Sequence, residues 1–178
     1  MQMIKETDLK VLYSESEIQS AIAKLGEKLN EVYKNEELYL ICVLKGSVMF
    51  MTDLSKHLKM PVRMEFIRLS SYGSGFTSSG RVSAVDISLP DLNDKNVLII
   101  EDIIDTGRTL NDVCRMLRAR NPLSLRVVTL LDKPSRRVVD FKADYSLFTI
   151  PDYFVIGYGL DCGEYYRNLP YIAEYKEV

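Results

Sequence analysis

Val97-Leu98-Ile99-Ile100-Glu101-Asp102-Ile103-Ile104-Asp105-Thr106-Gly107-Arg108-Thr109 decides the reading of this chain: an apolar run passes directly into acids and then into a small-residue turn. Four β-branched or Leu residues in a row suit a strand buried on both faces of a parallel sheet. Ligands of open α/β sheets bind just outside the carboxyl ends of such strands, where Glu101 and Asp102 are expected to stand. Two adjacent carboxylates can accept hydrogen bonds from vicinal sugar hydroxyls or help hold a divalent metal. Thr106, Gly107, Arg108 and Thr109 offer hydroxyls, backbone N–H groups and a helix start to a phosphate, and Thr109 is also placed to cap that helix. Together they point to a phosphorylated sugar. The nucleotide-binding P-loop is excluded, because its first Gly would fall at Asp102 and its Lys at Arg108.

Outward from this stretch, strands and helices alternate. Ser14 and Glu17 form a capping-box pattern ahead of Ile18, Ile22, Leu25, Leu29 and Val32, which predicts a helix over about 15–34. Leu38 to Leu44 reads as an apolar strand, followed by Lys45-Gly46-Ser47 and a helical pattern through Val48, Met51, Leu54 and Leu58, with His57 ending that helix. Val62 to Leu69 and Val82 to Ile87 are the next strands. Between them, Ser70 to Gly80 carries three Gly and five Ser, a connection long enough to be functional. Leu110, Val113, Cys114 and Leu117 mark a helix that stops before Asn121-Pro122, and Leu125 to Leu131 is a further strand. Such alternation implies an α/β fold with a mainly parallel sheet. From Pro134 the pattern becomes short, aromatic-rich apolar segments, expected to form a small cap over the ligand edge together with the amino-terminal segment.

Bulk properties exclude several classes. With 178 residues, 47% of them hydrophobic, the chain can bury the core of one domain, expected to span 1–178. A net charge of −2 with dispersed Lys and Arg leaves no footprint for nucleic acid. The sequence has no membrane-length apolar stretch and no apolar secretory signal at Met1-Gln2-Met3-Ile4-Lys5-Glu6, so a cytoplasmic protein without membrane partners is expected. Cys42, Cys114 and Cys162 make no C-x-x-C pair, and His57 is the single His, which disfavours a zinc centre or a disulfide scaffold. Cys42 reads as a small core residue.

The thirteen-residue string resembles the phosphoribosyl-diphosphate (PRPP) signature of the type I phosphoribosyltransferases, and its flanks are similar to those of the hypoxanthine-guanine branch. The likeness spans about residues 8–175. It implies a parallel-rich sheet flanked by helices with a small hood subdomain: a core of about 36–133, and a hood built from the amino-terminal segment and about 134–178. It also implies Mg²⁺-dependent transfer of 5-phosphoribose from PRPP to N9 of hypoxanthine and guanine, giving the nucleoside monophosphate and pyrophosphate in purine salvage. Relatives are commonly homodimers or homotetramers.

Roles follow position by position from the resemblance. Lys45 and Gly46 match the loop that binds pyrophosphate through backbone N–H groups, often with a cis peptide before the Lys. Glu101 and Asp102 match ribose and metal ligands, and Thr106 to Thr109 the phosphate cradle. Asp105 matches the carboxylate placed to accept the purine N7 proton. Lys133 matches the donor to the purine O6, which favours an oxo group over the amino group of adenine. Phe154 matches the aromatic that stacks on the base, and Val155 the residue whose carbonyl faces the C2 substituent. Asp161, beside that C2 side, matches the distal metal acid, and Arg167 the pyrophosphate-binding Arg. Ser71 and Tyr72 match the Ser-Tyr pair of a mobile lid, with Gly73, Gly75 and Gly80 as its hinges; a lid would shield an oxocarbenium-like centre from water. Arg108 stands where close relatives have Lys or Arg. Two other readings share these motifs: a xanthine-preferring phosphoribosyltransferase, differing around Val155 and Asp161, and a PRPP- or nucleotide-sensing regulatory protein of the same fold, which would need a basic face.

Overall fold

The computed structural model describes residues 9–70, 83–86 and 88–176. Its elements follow in the order β1 (Lys10–Tyr13), α1 (Glu15–Val32), β2 (Leu38–Leu44), α2 (Val48–Ser55), β3 (Val62–Ser70), β4 (Ser83–Asp86), β5 (Asn96–Ile104), α3 (Arg108–Arg118), β6 (Ser124–Asp132), β7 (Tyr145–Thr149), β8 (Val155–Ile156) and β9 (Ile172–Glu174), with a 3₁₀ turn at Pro134–Arg136. The expected lid residues Ser71 and Tyr72, with Gly73, Gly75 and Gly80, lie outside the described residues, as do Val82 and Ile87 at the ends of the expected fourth strand.

Six strands make one sheet of order β4-β3-β2-β5-β6-β7. The pairs β2–β3, β2–β5, β5–β6 and β6–β7 are parallel, and only β4 runs antiparallel, on the edge. The central strands show why their sequences lack polar alternation. Leu38, Leu40 and Cys42 of β2 and Leu98 and Ile100 of β5 pack toward α1 and α2. Tyr39, Ile41 and Val43, with Val97 and Ile99, pack toward α3. A strand covered on both faces must be apolar at every position.

The helices supply the covers. In α1 the capping box forms: the Ser14 N–H donates to Glu17 Oε2 at 2.9 Å, and the Glu17 N–H donates to Ser14 Oγ at 3.4 Å. Ile18, Ile22, Leu25 and Leu29 are buried, whereas Val32 is 38% exposed and the helix ends there, slightly short of the expected 34. Helix α2 stops at Ser55, before the Leu58 of the apolar pattern, because the Lys56 and His57 N–H groups turn back tightly to Asp53 O and Leu54 O. His57 therefore follows the helix. Phe50 and Leu54 are fully buried, each burial stabilising by about 1.5–3 kcal/mol.

A second, three-stranded antiparallel sheet of order β1-β9-β8 joins the amino-terminal segment to the carboxyl-terminal one, as expected of a hood. Val155, Tyr158, Leu160 and Ile172 continue into the main core, while Ile156, Leu169 and Ala173 form a small core of their own. The main sheet and its core also draw on chain outside 36–133. β7, within 134–178, belongs to the main sheet, because Tyr145, Leu147 and Phe148 extend the apolar face beside β6 and the Val127 N–H bonds Asp144 Oδ2 at 2.8 Å. Helix α1, within the amino-terminal segment, likewise packs on the main core.

Candidate active site

On its β2 side the β5 ladder ends at Cys42↔Ile100, while on its β6 side pairing continues through Glu101↔Thr129 to Ile104↔Asp132. Glu101 and Asp102 therefore lie inside the strand rather than beyond its end, and they are reachable because β2 has already turned away into its loop. Glu101 Oε2 is sealed from solvent without a hydrogen-bond partner among the described residues. Burial, then the charge of Asp102, pushes the Glu101 carboxyl well above the ordinary carboxylate range. Burial raises Asp102 as well, against the hydrogen bonds and the Arg167 charge that pull it down. Such a pair favours company from hydroxyl donors or a cation.

Next along the chain, Gly107 takes φ 81° and serves as N-cap of α3 with no side-chain cap. Thr109 does not cap the helix as expected: the helix already starts at Arg108, which puts Thr109 inside the first turn. A Cβ on Gly107 would fall 2.9 Å from Arg137 Cδ, so the turn has neither the conformation nor the space for a side chain. A cavity of about 110 Å³ lies here, lined by Glu101, Asp105, Thr106, Gly107 and Thr109 among others. The first N–H groups of α3 have no intrahelical acceptor and favour an anion. A wider depression of about 580 Å³ includes Asn30, Lys34 and Lys59. Its Asn30 is already committed to His57 O and the Lys59 N–H, and none of the motifs reaches it.

Three segments meet at Gly46. The Leu44–Lys45 peptide is cis, and Ser47, fully buried, pins the loop by donating to Val43 O at 2.5 Å. A Cβ on Gly46 would stand 1.5 Å from Asp102 Oδ2, and a Cβ on Gly159 would stand 1.9 Å from Gly46 O. The Gly46 main chain thus abuts the Asp102 carboxylate of β5 on one side and the hood main chain at Gly159 on the other. The hood reaches this point through tight left-handed turns at Gly157, Tyr158 and Gly159 and again at Gly163, Glu164 and Tyr166. Arg167 donates to Gly159 O at 2.7 Å and pairs with Asp161 at 2.8 Å and Glu164 at 3.2 Å. Glu164 in turn meets Lys45 at 2.5 Å. Tyr158 donates to Asp53 Oδ2 at 2.6 Å, fastening the hood turn to α2.

Asp105 and Lys133 sit on the other flank. The Lys133 N–H donates to Ile104 O at 2.9 Å, and its side chain, mostly buried, lies 3.5 Å from Asp152 Oδ1. Arg136 bridges Asp105 at 3.1 Å and Asp152 at 3.5 Å. Arg137 donates to Asp105 O at 2.5 Å and also to Asp132 Oδ1, so the loop carrying Asp105 is strapped from below. Phe154, two residues after Asp152, is 54% exposed and meets only the edge of Tyr175 among its described ring contacts, which leaves a face for a planar ligand. Val155 is buried in β8 opposite Glu174.

Sequence reasoning did not single out Asp53, Asp152, Arg136, Arg137, Gly159 or Glu164; the positive-φ demand on the Gly157-Tyr158-Gly159 string was the one local signal available. Among the described residues no three His, Cys, Asp or Glu side chains form a metal cluster. The expected acids divide into the Glu101–Asp102 pair and Asp161, which Arg167 engages. That division fits Mg²⁺, which takes one or two carboxylates and draws its remaining oxygens from substrate and water, and the unpartnered Glu101 Oε2 is an oxygen of the right kind.

Residues 10–162 match the family model for a phosphoribosyl transferase domain. A protein of Bacillus subtilis named hypoxanthine-guanine phosphoribosyltransferase is 47% identical over 174 residues, covering 98% of this chain and 97% of that protein. One of the same name from Streptococcus pneumoniae is 46% identical over 175 residues, with the same coverage. The crystal structure of a hypoxanthine phosphoribosyltransferase from Staphylococcus aureus superposes with a TM-score of 0.92 at 44% identity over 99% of this chain and 96% of that one. The likeness in sequence and in fold thus extends over nearly the whole chain. The chain belongs to the phosphoribosyltransferase family.

Proposed function

We propose that this protein is a purine salvage enzyme that transfers the 5-phosphoribosyl group of PRPP to N9 of hypoxanthine or guanine, releasing pyrophosphate and forming the nucleoside monophosphate. The observation that carries the reading is the junction at Gly46, where a Lys loop, the β5 acids and the hood Arg meet beside the phosphate-sized cavity at the start of α3.

In this reading the backbone N–H groups and hydroxyls of Thr106 to Thr109 take the 5′-phosphate, with Arg108 exposed at the rim, and Glu101 and Asp102 take the ribose hydroxyls. Lys45, Gly46 and Arg167 take the pyrophosphate. Glu101, Asp102 and Asp161 would hold Mg²⁺ in concert with substrate oxygens. Bound there, Mg²⁺ neutralises the charge that builds on departing pyrophosphate. Asp105, half exposed and paired among the described residues only with a solvent-exposed Arg136 side chain, can turn to the purine and accept its N7 proton as N9 bonds to the ribose carbon. Lys133 donates to O6, Phe154 stacks on the ring and the Val155 carbonyl faces C2. Ser71 and Tyr72 complete the set as a lid. The fold acts as a single domain, core and hood together, in a cytoplasmic homodimer or homotetramer. None of the described helices is long and apolar enough to cross a membrane.

Initial rates of nucleotide formation from PRPP and Mg²⁺ with hypoxanthine, guanine, xanthine and adenine, each with an EDTA control, test the reading. Metal-dependent turnover of hypoxanthine or guanine, with adenine far behind, is the expected result. PRPP binding without turnover of any base would instead fit a sensor.

A further inference from the structure

The two cations assigned to pyrophosphate already share an anion. One Glu164 carboxylate oxygen lies 2.5 Å from Lys45 Nζ and the other 3.2 Å from Arg167 Nη2, so a single carboxylate spans both as two oxygens of a phosphoryl group would. Among the described residues Lys45 has no other ion pair. We propose that Glu164 is a built-in competitor for the pyrophosphate subsite, a carboxylate that PRPP must displace to bind and that can re-engage both cations as pyrophosphate leaves. The inference rests on the reading that Lys45 and Arg167 hold pyrophosphate.

Two observations separate competition from a positioning role. Arg167 keeps its place without Glu164, because Asp161 pairs with it at 2.8 Å and Gly159 O accepts from it at 2.7 Å. Asp161 is itself fixed by the Glu164 main-chain N–H at 2.8 Å, a bond that any side chain at 164 would leave intact. The ion pairs that Glu164 makes are also easily exchanged: its side chain is 64% exposed and that of Lys45 is 51% exposed. Exposed pairs are weak and screened by salt, so a multiply charged diphosphate can outcompete them, at a modest loss of affinity.

Calorimetric titration of inorganic pyrophosphate into the full-length protein and into Glu164→Gln tests this. At low ionic strength the variant should bind about three- to fivefold more tightly, with the gap closing as salt is added. The KM for PRPP should fall in proportion while the KM for the purine stays put, a split that a general loosening of the site would not produce. Equal or weaker pyrophosphate binding by Glu164→Gln, in an enzyme whose wild type turns over hypoxanthine, would overturn the proposal alone. Wild-type protein that binds no pyrophosphate would overturn it together with the functional reading beneath it.

Discussion

The floor of the site and its hood hold charge in opposite ways. On the floor, β5 carries Glu101 and Asp102 into a sheet interior where burial pushes both carboxyls up, Arg167 acts on Asp102 only as a distant opposing charge, and neither acid has an ion pair among the described residues. In the hood, Asp161 and Glu164 are balanced by Arg167 and, from the β2 loop, Lys45 across a run of left-handed turns, partly in solvent. Buried groups of like charge resist rearrangement and await a ligand, whereas exposed opposite charges exchange partners at little cost. Under the function proposed above, the rigid half would grip the sugar that stays through the reaction, and the exchangeable half would receive and release the diphosphate that departs.

The largest effect that could break this division should come from the floor. Asp105→Asn keeps the size of the side chain but removes the proton acceptor, so kcat should drop by about 10²- to 10⁴-fold. The KM for PRPP should change little. Steady-state kinetics with varied PRPP check this, and a loss confined to PRPP affinity with kcat intact would remove Asp105 from proton transfer.

A smaller effect is expected where floor and hood touch. Gly159→Ala would set a methyl group 1.9 Å from Gly46 O at a backbone φ of 99°, forcing the pyrophosphate loop and the hood apart. PRPP affinity should weaken by about tenfold and folding stability fall by about 1–3 kcal/mol. Thermal denaturation and PRPP titration read the two separately; a variant with wild-type PRPP affinity would mean that the hood does not set the loop.

The smallest effect sharpens the comparison from the rear of the hood. Burial pulls the Asp53 carboxyl upward, but hydrogen bonds from Lys56, Tyr158 and Gln19 outweigh it and hold the group below its ordinary range. A carboxylate lowered on folding contributes stability above its unfolded pKa of about 3.9 and loses it as pH falls through the lower folded value. Tyr158→Phe removes one of those bonds and should cost about 1 kcal/mol at pH 7, a Tm drop of about 2–4 °C. The gap should narrow below about pH 4. A pH-independent Tm difference would assign the loss to packing instead.

Much of the floor was legible in the chain because its determinants are local. Val97 to Ile100 are buried at every position, as four consecutive apolar residues demand, and the Ser14–Glu17 capping box needed only three residues of spacing. Lys45-Gly46 announced itself by following an apolar strand. The less legible features depend on residues distant in sequence. Arg136 reaches Asp105 across 31 positions and Tyr158 reaches Asp53 across 105, and no local pattern tells an Arg or a Tyr which acid it will meet. Tyr145–Thr149 lies in the same aromatic-rich stretch after Pro134 as the hood segments, so composition could not say that it would extend the main sheet. Thr109 reads as a cap because hydroxyls are favoured there, but the left-handed Gly107 takes the N-cap position and the helix starts at Arg108, ahead of Thr109.

The contact between Gly46 and Gly159 has a further consequence for how such a protein can change. The two loops are registered to each other by a main-chain contact, with the exposed Lys45–Glu164 ion pair reaching across beside it. Under the proposed function, substitutions around Tyr153, Phe154 and Val155 would alter which base is admitted while this contact, built from other residues, stays in place. On that reading a joint of this kind would make substrate choice and substrate activation separately adjustable, one half retuned while the other is inherited intact.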